Sequence, residues 1–191
     1  MRVGGVVLAA GSSSRLGRPK QLLLYKDKSL VRRMAEEAVA AGLSPVVVVL
    51  GARAEEVAAQ LAGLPVHTVH NPAWEAGMGS SLQVGVRALT EVDAALVMLC
   101  DQLRVDAAHL KALVEAFTRT GAAIVASGYG GTQGVPALFA RATFPEFDTL
   151  GPKQGARGVI AREPSRVVEV ALPGGDEDID TEADLSRLRG I

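Results

Sequence analysis

The residues most able to do chemistry lie in one string, Leu8-Ala9-Ala10-Gly11-Ser12-Ser13-Ser14-Arg15-Leu16-Gly17-Arg18-Pro19-Lys20. It follows the apolar run Val3 to Ala9, which reads as a buried strand. The loop beyond the carboxyl end of such a strand is where open α/β sheets bind ligands. Small residues from Ala9 to Ser14 leave backbone N–H groups unhindered, which suits the non-bridging oxygens of a polyphosphate. Arg15 can fork two phosphate oxygens, and Lys20 adds a mobile point charge on the same side. These two cations are the expected catalytic groups; the competing reading is a surface loop with two solvated charges. A P-loop is excluded, because five residues separate Gly11 from Gly17 and Arg18 follows instead of Lys-Ser/Thr. A dinucleotide fingerprint is excluded too, since serines follow Gly11 where G-x-G-x-x-G needs its second glycine. The second chemical group is Asp101, which ends the apolar run Leu96 to Cys100. A carboxylate there faces the same crevice and suits Mg²⁺, which takes one or two carboxylates and completes its shell with substrate phosphates. A helix cap or turn acid is the alternative for it.

The elements that must position these groups alternate. Strands are expected at Val3 to Ala9, Val46 to Leu50, Val66 to Val69, Ala94 to Leu99, Ala122 to Ala126, Val135 to Phe139 and Val167 to Val170. Leu30, Val31, Met34, Ala38 and Ala41 recur at helical spacing, and Gly42 stops that helix. Further helices are expected at Ala54 to Leu61, Ser80 to Leu89, from the Asp106 cap to about Arg119, around Gly155 to Arg162, and from Glu182. Near-continuous apolar strands alternating with helices imply an α/β fold, a three-layer sandwich around a mostly parallel sheet. Gly121 to Phe139 holds two strands with no helix between them, so a local antiparallel strand or an edge addition is expected there. The Gly-rich stretch from Gly128 to Gln133 reads as a mobile loop.

Composition closes off other classes. The 191 residues favour one domain with a sizeable core. Lys plus Arg number 20 against 21 Asp plus Glu, so no basic field draws the chain to nucleic acid or an anionic membrane. Aromatics are only 4%, which argues against a base-stacking platform. One cysteine excludes a disulfide framework and a Cys-rich zinc site. Cys100 itself reads as a buried small hydrophobe, and His67, His70 and His109 lack metal-ligand spacing. No apolar run reaches the ~20 residues that span a bilayer, and no full signal peptide precedes the first strand. A soluble cytoplasmic protein is the expectation.

The string LAAGSSSRLGRPK resembles the signature loop of the MobA-like nucleotidyltransferases, L-A-[AG]-G-x-S-x-R-x-G-x-x-K. Within that family the chain is most similar to molybdenum cofactor cytidylyltransferases. Further landmarks stand in family order: Asn71-Pro72-Ala73-Trp74, Gly77-Met78-Gly79-Ser80-Ser81-Leu82, Cys100-Asp101-Gln102, Val135-Pro136-Ala137-Leu138-Phe139, Gly155-Ala156-Arg157 and Asp178-Ile179-Asp180-Thr181. The resemblance runs nearly end to end and implies a Rossmann-like nucleotidyltransferase domain over 1–191. It implies transfer of a nucleotide monophosphate from an NTP with release of pyrophosphate.

Residue by residue, the resemblance makes Leu8 through Ser14 nucleotide-binding and lays Gly79, Ser80 and Ser81 against the base and ribose. Asp180 falls on the metal-binding position beside Asp101, although Asp180-Thr181-Glu182 also reads as a helix start; Asp178 is the weaker substitute. Gly134 and Pro136 would sit near the acceptor, and Arg157 would contact its phosphate. Ala10 stands where guanylyl-transferring relatives have a second glycine, and its methyl would crowd a purine, so CTP is expected. The implied reaction moves CMP to molybdopterin with Mg²⁺, ahead of possible delivery to a molybdoenzyme. Guanylyl transfer, a sugar-phosphate acceptor and a non-catalytic nucleotide-binding accessory role stay open. Two departures fall in the acceptor half: Leu103 follows Asp101-Gln102 where relatives have proline, and Gly151-Pro152-Lys153-Gln154 lacks the family's acidic residue.

Overall fold

The computed structural model describes residues 1–13, 16–177, 179 and 182–186. In chain order the strands are β1 (Val3–Ala9), β2 (Leu24–Tyr25), β3 (Lys28–Ser29), β4 (Val46–Leu50), β5 (His67–His70), β6 (Ala94–Leu99), β7 (Ile124–Tyr129), β8 (Thr132–Ala140) and β9 (Val167–Ala171). The helices are α1 (Leu30–Ala40), α2 (Ala54–Ala59), α3 (Met78–Arg87), α4 (Ala107–Thr120), α5 (Phe144–Phe147) and α6 (Arg157–Ile160). Seven strands form one sheet in the order β5-β4-β1-β6-β8-β7-β9, and β2 and β3 make a separate hairpin. β8 alone runs against its neighbours: it is antiparallel to β6 and β7, while the other pairings are parallel.

Alternation along the strands explains the layers. In β1, Val7 and Ala9 face α1, α2 and α4, whereas Val6 and Leu8 face α3, α5 and α6. In β4 and β6 the side chains divide the same way, Val48 and Leu96 on the first face, Val49 and Val97 on the second. With both faces covered, no polar residue is tolerated along these strands, hence the unbroken apolar runs. α1 starts at Ser29, whose hydroxyl accepts from Arg32 N–H. α4 starts at Asp106, whose carboxylate accepts from His109 N–H at 2.8 Å, and ends at Gly121 in the left-handed region. Each cap satisfies a backbone donor that the first turn leaves open. No helix among the described residues is long and apolar enough to cross a membrane.

Two expectations change, and a third resolves between its two alternatives. Gly128 to Gln133 is no mobile loop: β7 and β8 stay paired to Tyr129–Thr132, and Gly130 and Gly131 make the turn at φ 55° and 71°. Two consecutive left-handed residues match the twist of a tight hairpin, which is why glycines are needed there. Second, of the antiparallel strand and the edge addition expected within Gly121 to Phe139, the antiparallel strand is the one formed: β8 enters the sheet between β6 and β7 and leaves the edge to β9. Third, α3 begins at Met78, two residues before the expected start, because Gly77 and Gly79 let the helix slide beneath the segment 151–154. A side chain on Gly79 would collide with the Gly151 carbonyl, and the Gly79 N–H donates to the Pro152 carbonyl at 2.8 Å. The expected last helix from Glu182 is a 3-10 turn over Glu182–Leu185; its continuation lies outside the described residues.

Candidate active site

Because β1 lies between β4 and β6, the chain leaves β1 in one direction and returns to the other side of it. The carboxyl ends of β1 and β6 therefore open into a common crevice. A cleft of about 350 Å³ lies there, walled by Leu8, Ala9, Ala10, Gly11, Ser12 and Ser13 on the β1 side and by Leu99, Cys100 and Asp101 on the β6 side. Trp74, Gly77, Met78 and Ser81 close it from α3 and the turn before it, and Leu16, Lys20, Gln21 and Glu75 complete the lining. Ser14 and Arg15 of the loop, and Asp178 and Asp180, lie outside the described residues.

The loop is held from within. Ser13 sits at φ 55° and its hydroxyl accepts from Lys20 N–H at 3.0 Å. Leu16 packs with Ile179, Leu23 and Leu103 in a small apolar cluster that anchors the loop's outer half. Lys20 opens a 3-10 turn and extends its ammonium to Asp101, Nζ to Oδ2 at 2.5 Å. That carboxylate is almost wholly buried, its side chain 3% exposed, while Lys20 is 24% exposed. A buried charge needs such a partner, since removing one member leaves the other uncompensated. The loop after Asp101 is braced by Arg33 of α1, whose guanidinium donates to the carbonyls of Gln102, Leu103 and Val105. Gln102 ties the same loop to β8 by donating to the Val135 carbonyl at 2.8 Å.

The two serines of α3 separate. Ser80 accepts from Asn71 Nδ2 at 2.8 Å, and its oxygen lies 2.7 Å from the Gly77 carbonyl, so it secures the turn into the helix. Ser81 also accepts from Asn71, at 3.0 Å, and lines the cleft. Gly79 is buried against the 151–154 segment and is not among the cleft residues. That segment, where the sequence departs from the family pattern, is a closed turn: Gly151 N–H donates to Gln154 Oε1 at 2.7 Å and Gln154 N–H to the Gly151 carbonyl at 2.9 Å.

A second chamber of about 250 Å³ adjoins the cleft and shares Leu8, Met78 and Leu99 with it. Its other walls are Leu82, Val97, Gln102, Tyr129, Val135, Gly155, Ala156 and Arg157. Arg157 lies over the Tyr129 ring, 5.9 Å from its centroid. Gly134 gives these two room, since a side chain there would strike the Tyr129 hydroxyl. Pro136 is buried in β8, its carbonyl accepting from the Ser127 hydroxyl at 2.6 Å; Val135 is the residue that reaches the chamber. Sequence reasoning had not assigned site roles to Gln21, Trp74, Met78 or Tyr129, because each reaches the site by packing from outside the signature loop.

Cys100 lines the cleft yet is buried, and its thiol is pushed up to about 12 by burial first and then by the adjacent Asp101 carboxylate. It stays a thiol at neutral pH and is no nucleophile. The donor set for a metal is sparse: no group of three or more His, Cys, Asp or Glu is gathered among the described residues. Asp101, the one buried carboxylate of the cleft among the described residues, beside room for phosphates, fits Mg²⁺, which keeps water and substrate oxygens as ligands. It does not fit a zinc cage.

An open α/β sheet with a small-residue loop, a lysine and a carboxylate at its switch point defines a protein that handles phosphorylated ligands. The sequence matches the MobA-like NTP transferase domain over residues 5–167, and the chain belongs to that family and has the Rossmann-like fold. It is 46% identical over 101 residues to nicotine blue oxidoreductase of Paenarthrobacter nicotinovorans, a match covering 52% of this chain and 50% of that protein. The chain thus aligns with about half the length of that relative. It is 29% identical to the purine catabolism protein PucB of Bacillus subtilis, over 97% of this chain and 95% of that one. Among solved structures, Rv0371c of Mycobacterium tuberculosis superposes with a TM-score of 0.85 at 31% identity, covering 100% of this chain and 99% of that one. Rv0371c is also known in complex with manganese, a structure that superposes at 0.79 with 30% identity and 98% coverage of each chain.

Proposed function

We propose that this chain, as one domain over 1–191, transfers CMP from CTP to a phosphorylated acceptor, molybdopterin, with Mg²⁺ as the cation. The observation that carries this reading is the meeting of the β1 loop with the Lys20–Asp101 pair in one cleft at the switch point of the sheet. Backbone amides of the loop, with Arg15 and Lys20, hold the triphosphate and stabilise charge on the leaving pyrophosphate. An oxygen of the acceptor's terminal phosphate attacks the α-phosphorus. The new P–O bond forms as the bond from the α-phosphorus to the bridging oxygen of pyrophosphate breaks. A phosphate nucleophile is already ionised near neutral pH, so no general base is required. Asp101 and Asp180 would hold Mg²⁺, which neutralises charge on the α-phosphate oxygens; manganese in Rv0371c supports a divalent cation here.

The adjoining chamber supports an acceptor with a flat ring body and an anionic group. Its walls are mainly apolar, and the polar groups of Gln102 and Tyr129 are both committed to the Val135 carbonyl. Arg157 is the one cation among the residues lining the chamber and would meet the phosphate. Ala10, a residue of the cleft wall, favours a pyrimidine over a purine.

The test is a thermal-shift titration with CTP, GTP, ATP and UTP, each with Mg²⁺ and with EDTA. At 100 times its Kd a ligand adds roughly 2.7 kcal/mol, or about 5–10 °C for a chain of this size. A shift largest for CTP and lost in EDTA supports the reading. A larger shift with GTP replaces cytidylyl by guanylyl transfer, and no shift with any nucleotide ends it. Nucleotide binding without pyrophosphate release on added molybdopterin would indicate the accessory role. The 46% identity to nicotine blue oxidoreductase favours a second reading, an oxidoreductase. Oxidation of NADH or NADPH by the purified chain would establish that reading in place of transfer.

A further inference from the structure

Gln21 is 1% exposed, and its amide faces two consecutive turns of the signature loop. Nε2 donates to the Ala9 carbonyl at 3.0 Å and to the Gly11 carbonyl at 2.6 Å. The carbonyl between them, that of Ala10, accepts from Ala52 N–H at 3.0 Å. Three successive carbonyls are thereby tied back into the protein. These peptides are trans, so each N–H points opposite to its carbonyl. Tying the Ala10 and Gly11 carbonyls inward turns the N–H groups of Gly11 and Ser12 the other way. Among the described residues neither N–H has a hydrogen-bond partner. The clamp carries a cost: Oε1 of Gln21 is buried with no partner among the described residues. Buried orphan acceptors are rare in folded proteins and persist where the surrounding structure gains something else. The orientation of the amide is fixed by the two carbonyls it meets, since only its NH₂ end can satisfy them.

We infer that Gln21 is the positioning residue of the phosphate loop, acting through the Gly11 carbonyl to aim the Ser12 amide at the β- and γ-phosphates of the nucleotide, beside the Gly11 amide that the Ala10–Ala52 hydrogen bond sets. It touches no reacting atom. This inference rests on the nucleotide-binding reading above and assigns the triphosphate end of that ligand to these amides. Replacing Gln21 by methionine keeps the volume and removes both donors. The Gly11 carbonyl is then free to rotate and the Ser12 amide loses its aim, while the Ala10 carbonyl stays tied to Ala52.

The experiment measures Kd for CTP, pyrophosphate and CMP, with Mg²⁺, by calorimetry on wild type and Gln21→Met, together with amide hydrogen exchange of the wild type. In Gln21→Met, CTP and pyrophosphate affinities should fall about tenfold or more, the scale of a lost hydrogen bond to a charged group. CMP affinity should change less than about twofold. A general loosening of the fold would move all three together, so an unchanged CTP-to-CMP ratio overturns the inference. Wild-type exchange provides a check that does not depend on the variant folding. Pyrophosphate should slow exchange in the peptide spanning Ala10 to Ser13, and pyrophosphate binding without that protection overturns the inference while leaving the nucleotide reading intact. Wild type that binds neither CTP nor pyrophosphate overturns both.

Discussion

At the residue scale the site is organised around charges that come together only in the fold. Asp101 is buried at the end of β6 with Lys20 at 2.5 Å, and neither tolerates loss of the other's charge well. Asp101→Asn keeps the shape and removes the anion. Turnover of CTP to pyrophosphate should fall by on the order of 10² or more, as for another principal charge-stabilising group. Full activity in that variant would sink the metal assignment. Cys100, one residue away, makes a contrasting expectation. Burial and the Asp101 carboxylate hold its thiol near 12, so the native protein at pH 8 should not react with an aromatic disulfide reagent. The thiol should titrate fully once the chain is unfolded in guanidinium. Rapid modification of the native protein would show that the β6 end is open to solvent.

At the element scale, the hairpin of β7 and β8 is fastened to α4 by a relay. The Ser127 hydroxyl donates to the Pro136 carbonyl, so it accepts from Nε2–H of His109, 2.8 Å away. Desolvation by burial lowers the His109 pKa below its ordinary 6.5, against a smaller opposing pull from Asp106. The folded protein therefore keeps this imidazole neutral at pH values where the unfolded chain takes up a proton. The unfolded state binds more protons as pH falls, so stability drops below about pH 6.5 and is unaffected by this group above it. His109→Gln keeps an N–H donor without a titrating group. Its melting temperature should fall less than that of wild type between pH 7 and pH 5, measured by calorimetry. Parallel curves for the two proteins would remove His109 from the account. The same scale shows why the altered 151–154 segment matters: its carbonyls hold the first turn of α3 through Gly79, so its role in this chain includes a structural strap.

At the scale of the whole molecule, one sheet carries both apolar layers, and the cleft lies where its two halves meet. Every strand of the sheet between the edges β5 and β9 is bonded on both sides, so neither layer can be lost without exposing the face it covers. The chain should unfold in one cooperative step. Trp74, the single tryptophan, stands in the cleft wall and reports on it directly. Its fluorescence and the far-UV dichroism should give the same midpoint in a urea titration. An earlier fluorescence transition would mean that the cleft side opens as a separate unit.

Much of this was legible from the chain itself. β1, β4 and β6 keep the bounds read from their apolar runs, because a strand buried on both faces admits no polar interruption. The Asp106 cap is local as well, set by a side chain three residues from the backbone group it serves. The tertiary structure alone decided what depends on distant partners. It placed β8 between β6 and β7, joined Lys20 to Asp101 across 81 positions, opened the second chamber beneath Met78 and set Gln21 against the loop carbonyls. Periodicity reports which face of an element is buried, never which other element covers it. Those four features follow from packing between segments far apart in sequence, and only the folded chain brings them within reach.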